Sequence, residues 1–292
     1  MRAFTITLGD GRTLDCLDGG DPGGRPLIAQ HGTPSSRLLP PWCDTTCATA
    51  GWRLVSFSRA GYGGSTALPG RSVGDVAADT AAVADAAGVD RFAVWGHSGG
   101  GPHALACGAL LGDRVTVTVS SAGVAPHDAD GLDWTAGMGE ANIEEFGLMR
   151  LGRDAALQAL DEARESLLGA APDEMAAELE SLVSDIDLAA FDAPYSAAIH
   201  ASMAEGLRDS AEGWVDDDLA FAAPWGFDLA DLTADVRIWQ GTADLMVPPA
   251  HGRWLAAALP HARFELRPDH GHLSLVGPAG FAEILETLPR AT

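Results

Sequence analysis

The chain has 292 residues, 47% of them hydrophobic and 20% charged, a length and balance that fit a globular protein with a sizeable core and exclude a disordered one. Its formal net charge is −23, from 41 acidic residues against 18 basic ones, every one of which is arginine. The absence of lysine excludes Schiff-base chemistry, lysine-bound pyridoxal phosphate and serine–lysine catalysis, and the negative charge works against partners such as nucleic acid or an anionic membrane surface.

Taken in chain order, the first residues alternate as strands do: Ala3 to Leu8 and Thr13 to Leu17 flank Gly9-Asp-Gly11 and predict a hairpin. No run approaches the roughly 18 to 20 apolar residues of a membrane span, and no apolar leader opens the chain, so the expected location is cytoplasmic. Cys16, Cys43, Cys47 and Cys107 are widely scattered, which predicts buried, reduced thiols in place of a disulfide framework or a zinc site. Short apolar strands then alternate with helical patterns. Leu27 to Gln30, Arg53 to Phe57 and Phe92 to Trp95 predict a mostly parallel sheet flanked by helices. Ser72, with Asp75 three residues on, caps a helix through Ala87 that Gly88 stops. Further strands are expected at Val115 to Ser120, Val236 to Gln240 and Arg263 to Arg267.

Residues 126–223 break this alternation. The stretch is rich in Ala, Leu and Glu, has no convincing strand, and holds 23 of the 41 acidic residues against four arginines, Arg150, Arg153, Arg164 and Arg208. It is expected to be a helical insertion, with residues 1–125 and 224–292 forming the core, and its acids are expected to form a solvated helical surface.

The chemistry concentrates where Arg91 to Trp95 runs into Gly96-His-Ser-Gly-Gly100 and then a helix from Gly101 to Leu111. Strand, tight turn and helix are the setting of a nucleophile elbow, in which small neighbours let the serine take a strained backbone conformation. A hydroxyl is a poor nucleophile at its own pKa and needs a histidine base, itself held by an acid. The carboxyl edge of the sheet offers both: Asp244 follows the strand ending at Gln240, and His270 and His272 follow the strand near Phe264. The N–H of Gly99 and that of Thr33, in His31-Gly-Thr-Pro34, are the candidate donors to a developing oxyanion.

With Ser58-Arg-Ala-Gly-Tyr-Gly-Gly-Ser65, Gly241-Thr-Ala-Asp244 and Gly271-His272, these motifs resemble, in order and spacing, the α/β-hydrolase superfamily, specifically a bacterial member with a helical lid. The resemblance covers roughly residues 1–125 and 224–292. It implies that His272, in preference to His270, is the catalytic base, that Ser98 is the nucleophile and Asp244 the orienting acid, and that residues 126–223 are the lid. Asp128 or Asp130, after the sixth strand, is the alternative acid. The serine at the elbow argues against dehalogenases and epoxide hydrolases of this fold, which carry aspartate there.

The resulting expectation is a serine hydrolase acting on an ester or related acyl bond of a small, largely apolar molecule, with no metal and no organic cofactor. The alternative is a lyase, a cyclase or a carbon–carbon bond hydrolase on the same scaffold. Trp134, Met138, Tyr195 and Trp214 are candidate substrate-binding residues, or else the lid's own core. Arg59, His31 and His103 are expected to be structural.

Overall fold

The computed structural model describes residues 1–174, 179 and 181–289; the helical bias expected at 175–178 and 180 lies outside them. Eight strands form one sheet: β1 (Arg2–Thr7), β2 (Thr13–Gly20), β3 (Arg25–Gln30), β4 (Trp52–Phe57), β5 (Phe92–His97), β6 (Val115–Ser121), β7 (Asp235–Gly241) and β8 (Arg263–Arg267). Their spatial order is β1-β2-β4-β3-β5-β6-β7-β8. The hairpin β1–β2 is antiparallel and β2 lies antiparallel to β4, while every later pairing is parallel.

Three helices follow early strands: α1 (Pro41–Ala50), α2 (Val76–Ala86) and α3 (Gly100–Leu110). Ahead of α2, both the N–H and the hydroxyl of Ser72 donate to Asp75 Oδ2, at 2.7 and 2.8 Å, which satisfies a donor that the helix start would leave open. Between β6 and β7 the described elements are helical: α4 (Glu140–Leu148), α5 (Arg153–Gly169), α6 (Asp185–Ala190), α7 (Ala193–Gly206) and α8 (Glu212–Phe221), with short 3₁₀ turns. The chain then completes the sheet with α9 (Pro249–Ala258) and α10 (Pro278–Thr287).

The alternation of side chains along the parallel strands divides the core in two. Ile28, Val55 and Val94 pack with Val83, Leu105 and Leu255 of α2, α3 and α9. Leu27, Leu54 and Trp95 point the other way, onto Cys47 of α1 and Phe281 and Ile284 of α10. Because both faces of these strands are covered, they read in sequence as continuous apolar runs. All four cysteines are buried and unpaired. Burial pushes the thiols up, to about 12 for Cys16, Cys47 and Cys107, so they remain uncharged.

Candidate active site

At the carboxyl edge, β5 turns into α3 through Ser98, whose φ of +55° is the left-handed conformation that non-glycine residues avoid. Two bonds hold the turn: Ser98 N–H donates to Ser121 O of β6 at 2.9 Å, and Gly101 N–H donates to Ser98 O at 2.8 Å. The flanking glycines are required by contact. A Cβ on Gly96 would lie 1.9 Å from Gly100 O, and one on Gly100 would lie 2.1 Å from Gln30 O.

The loop after β7 carries Asp244. Its Oδ1 accepts the N–H groups of Met246 and Val247 at 3.0 and 2.8 Å, and its Oδ2 accepts Gln240 Nε2 at 3.1 Å. Both oxygens also face His272 Nδ1, at 3.0 and 2.9 Å. The carboxylate therefore holds the proton on Nδ1 and leaves Nε2 as the basic nitrogen. Burial works against a charged imidazole here, but the nearby Asp244 carboxylate and its hydrogen bond, with Asp187 behind them, raise the pKa above its ordinary 6.5. The His97 ring lies 4.6 Å from that of His272. Burial, and then His272 itself, hold His97 well below the ordinary value, so His97 is a neutral ring packed against the other. Asp128 and Asp130 are exposed, and the acid that meets His272 is Asp244.

The His272 loop has a second anchor that sequence reasoning missed. Asp187, in α6 and fully buried, accepts the N–H groups of His272, Leu273 and Ser274 at 2.8, 2.9 and 2.8 Å, and the hydroxyl of Ser274 at 2.8 Å. Three consecutive amides converging on one carboxylate form an anion nest whose occupant comes from 85 residues away.

Thr33 stands opposite the elbow, so close that a Cβ on Gly99 would meet Thr33 Oγ1 at 2.4 Å. Its hydroxyl donates to Asp217 Oδ2 at 2.7 Å and accepts from Arg59 at 3.0 Å. Asp217, from α8 and fully buried, is a hub. It pairs with Arg59 at 2.5 Å and Arg71 at 2.7 Å, accepts the Tyr62 hydroxyl at 3.0 Å, and lies 3.2 Å from His103 Nε2. Burial favours protonating this acid, but Arg59 and Arg71 hold it well below the carboxylate range. Arg59 also donates to the carbonyls of His31 and Gly32, and its own N–H reaches His31 Nε2 at 3.0 Å. Arg59 and His31 thus brace the Thr33 loop. The solvated surface expected for the acids of this segment is absent at Asp187, Asp216, Asp217 and Asp218, all buried.

These elements enclose a cavity of about 590 Å³ that Ser98, Gly99, Thr33 and His272 line. Its remaining wall is mostly apolar and includes Leu160, Leu182, Ile199, Met203, Phe221 and Met246. Tyr195 and Trp214 line it and are also buried in clusters of the segment between β6 and β7, the Tyr195 hydroxyl donating to Leu273 O at 2.9 Å. Trp134 and Met138 require correction: both are buried in the core beside the sheet. The Trp134 indole donates to Ala125 O at 2.7 Å and packs edge-on behind Phe146, which does reach the cavity.

An open, mostly parallel sheet with a strained serine at its carboxyl edge, on one cavity with a histidine–carboxylate pair, defines a class. The family model for the alpha/beta hydrolase fold matches residues 25–278, and the chain belongs to that family. Among solved structures it is similar to a thermophilic esterase from Thermogutta terrifontis (21% identity, 98% of this chain and 97% of that one, TM-score 0.71). It is also similar to an alpha/beta hydrolase fold protein from Nakamurella multipartita (25% identity, 97% and 99%, TM-score 0.64) and to the enol-lactonase from Burkholderia xenovorans (18% identity, 95% and 96%, TM-score 0.69). No helix among the described residues is long and apolar enough to cross a membrane.

Proposed function

We propose that the protein is a serine hydrolase that cleaves an ester or related acyl bond of a small, largely apolar molecule. The observation that carries this reading is the placement of Ser98 and His272 on one cavity, with His272 Nδ1 bonded to Asp244 so that the opposite nitrogen can take a proton. In the proposed reaction His272 Nε2 accepts the Ser98 hydroxyl proton as Oγ attacks the acyl carbon. The N–H groups of Thr33 and Gly99 stabilise the oxyanion, and the resulting imidazolium, stabilised by Asp244, returns its proton to the leaving group. Water, activated by the same imidazole, then hydrolyses the acyl-enzyme. Residues 126–223 serve as the lid, and the mostly apolar wall favours apolar acyl groups.

The test is a series of p-nitrophenyl esters of increasing chain length on wild type and Ser98→Ala. The proposal expects turnover that Ser98→Ala lowers by at least about 10³-fold. Ester turnover that survives Ser98→Ala undiminished would mean that Ser98 is not the nucleophile and would contradict the proposal.

A further inference from the structure

The apolar cavity contains an acidic pair that the proposed acyl transfer does not use. Glu145 of α4 and Asp218 of α8 both line it, and their carboxyl groups meet within hydrogen-bonding range. Asp218 is 1% exposed, and among the described residues its buried Oδ2 receives no N–H or hydroxyl donor. Glu145 accepts the Trp214 indole N–H at 2.9 Å, and Trp214 also borders the cavity.

Neighbouring cations do not neutralise the pair. Arg59 and Arg71 are engaged by Asp217, while Arg71 and Arg153 flank Asp216, the latter at 2.7 Å. Arg153 also pairs with Glu212 at 3.6 Å, so the three guanidiniums are matched by Asp216, Asp217 and Glu212, and none of them is left over for Glu145 and Asp218. Burial pushes both carboxyls up, Asp218 well above its ordinary value and further raised by Glu145, so the pair holds protons. A buried carboxyl pair beside a void is costly unless something positive sits with it. In the free protein that is a proton. A ligand cation with N–H donors meets the same requirement.

We propose that Glu145 and Asp218 form an ammonium subsite within the Ser98 cavity, selecting substrates that carry a protonated amine on the part held beneath α4 and α8. The ammonium donates to the carboxyl groups of Asp218 and Glu145, and one proton leaves the pair to solvent as it binds. The rest of the substrate remains apolar, matching the wall. This inference rests on the reading of the cavity as the substrate site.

Two measurements test it. In the first, n-hexylammonium and 1-hexanol are titrated calorimetrically into the wild type, Glu145→Gln and Asp218→Asn in 150 mM salt. The subsite predicts that the ammonium binds the wild type at least about 10-fold more tightly than the alcohol, and that this preference disappears in both variants. In the second, kcat/KM is compared for p-nitrophenyl 6-aminohexanoate and its uncharged isostere, the heptanoate. The wild type should favour the amino ester and the variants the heptanoate. Ammonium binding no tighter than hexanol binding, or a preference of equal size in wild type and variants, would overturn the subsite; the wild-type comparison decides even if a variant fails to fold. The two proposals fail differently: absence of ester turnover with Asp218-dependent ammonium binding removes the hydrolase and keeps the subsite, whereas heptanoate turnover without ammonium preference does the reverse.

Discussion

His272 is placed by groups on both sides of its ring and by its backbone. Asp244 fixes the tautomer, His97 packs against the ring, and the main chain enters Asp187. In the proposed mechanism His272 acts as a neutral base, and its pKa is raised above 6.5, so kcat/KM for an uncharged ester should rise with pH through an inflection above 6.5. Asp244→Asn removes the largest raising influence and leaves burial, which favours the neutral ring. Its inflection should therefore move to lower pH, while the maximal rate falls by about 10⁴-fold as the tautomer is lost. A pH–rate profile of both proteins checks this, and an unmoved inflection would mean that the titrating group is not His272.

At the scale of elements, the helices between β6 and β7 contribute to the edge that carries Ser98 and His272. Helix α6 places Asp187 in the His272 loop, and α8 places Asp217 under Thr33. Asp187→Ala should lower kcat by roughly 10–100-fold with little change in KM, because a misplaced base costs rate more than ground-state binding; steady-state kinetics would show it, and an equal loss in KM would contradict a positioning role. Asp217→Ala leaves Arg59 and Arg71 buried without their shared partner and should cost about 3–5 kcal/mol in denaturant unfolding. Neither acid was legible as buried in the sequence, for different reasons. Asp187 meets a loop 85 residues away, and no local pattern marks such a pairing. Asp217 did leave a trace: Gly213, Trp214, Ala220 and Phe221, its neighbours at helical spacing, place it on an apolar stripe where a lone acid implies a buried cation. Trp134 and Met138 were left open between cavity and core because a large apolar residue in a helix-biased segment reads alike in either place, and both lie in the core.

For the whole molecule, the sheet was readable because strands covered on both faces are short apolar runs cut by glycine and proline, and the observed strands lie where those runs predict. Ser98, Asp244 and the two histidines His270 and His272 could be placed at one edge because each sits in a loop just past a strand, while the choice of His272 came from the resemblance to the family. The acidic excess of residues 126–223 was visible but not its internal arrangement, since charge counts do not separate a solvated carboxylate from one paired with arginine. The central claim is that Ser98 is an activated nucleophile, and the most direct test is labelling of the purified protein with a fluorophosphonate followed by peptide mass mapping. The account predicts a single adduct on Ser98 that is absent from Ser98→Ala and strongly reduced in His272→Ala. A folded protein that takes no label at Ser98, or takes it equally well without His272, would contradict it.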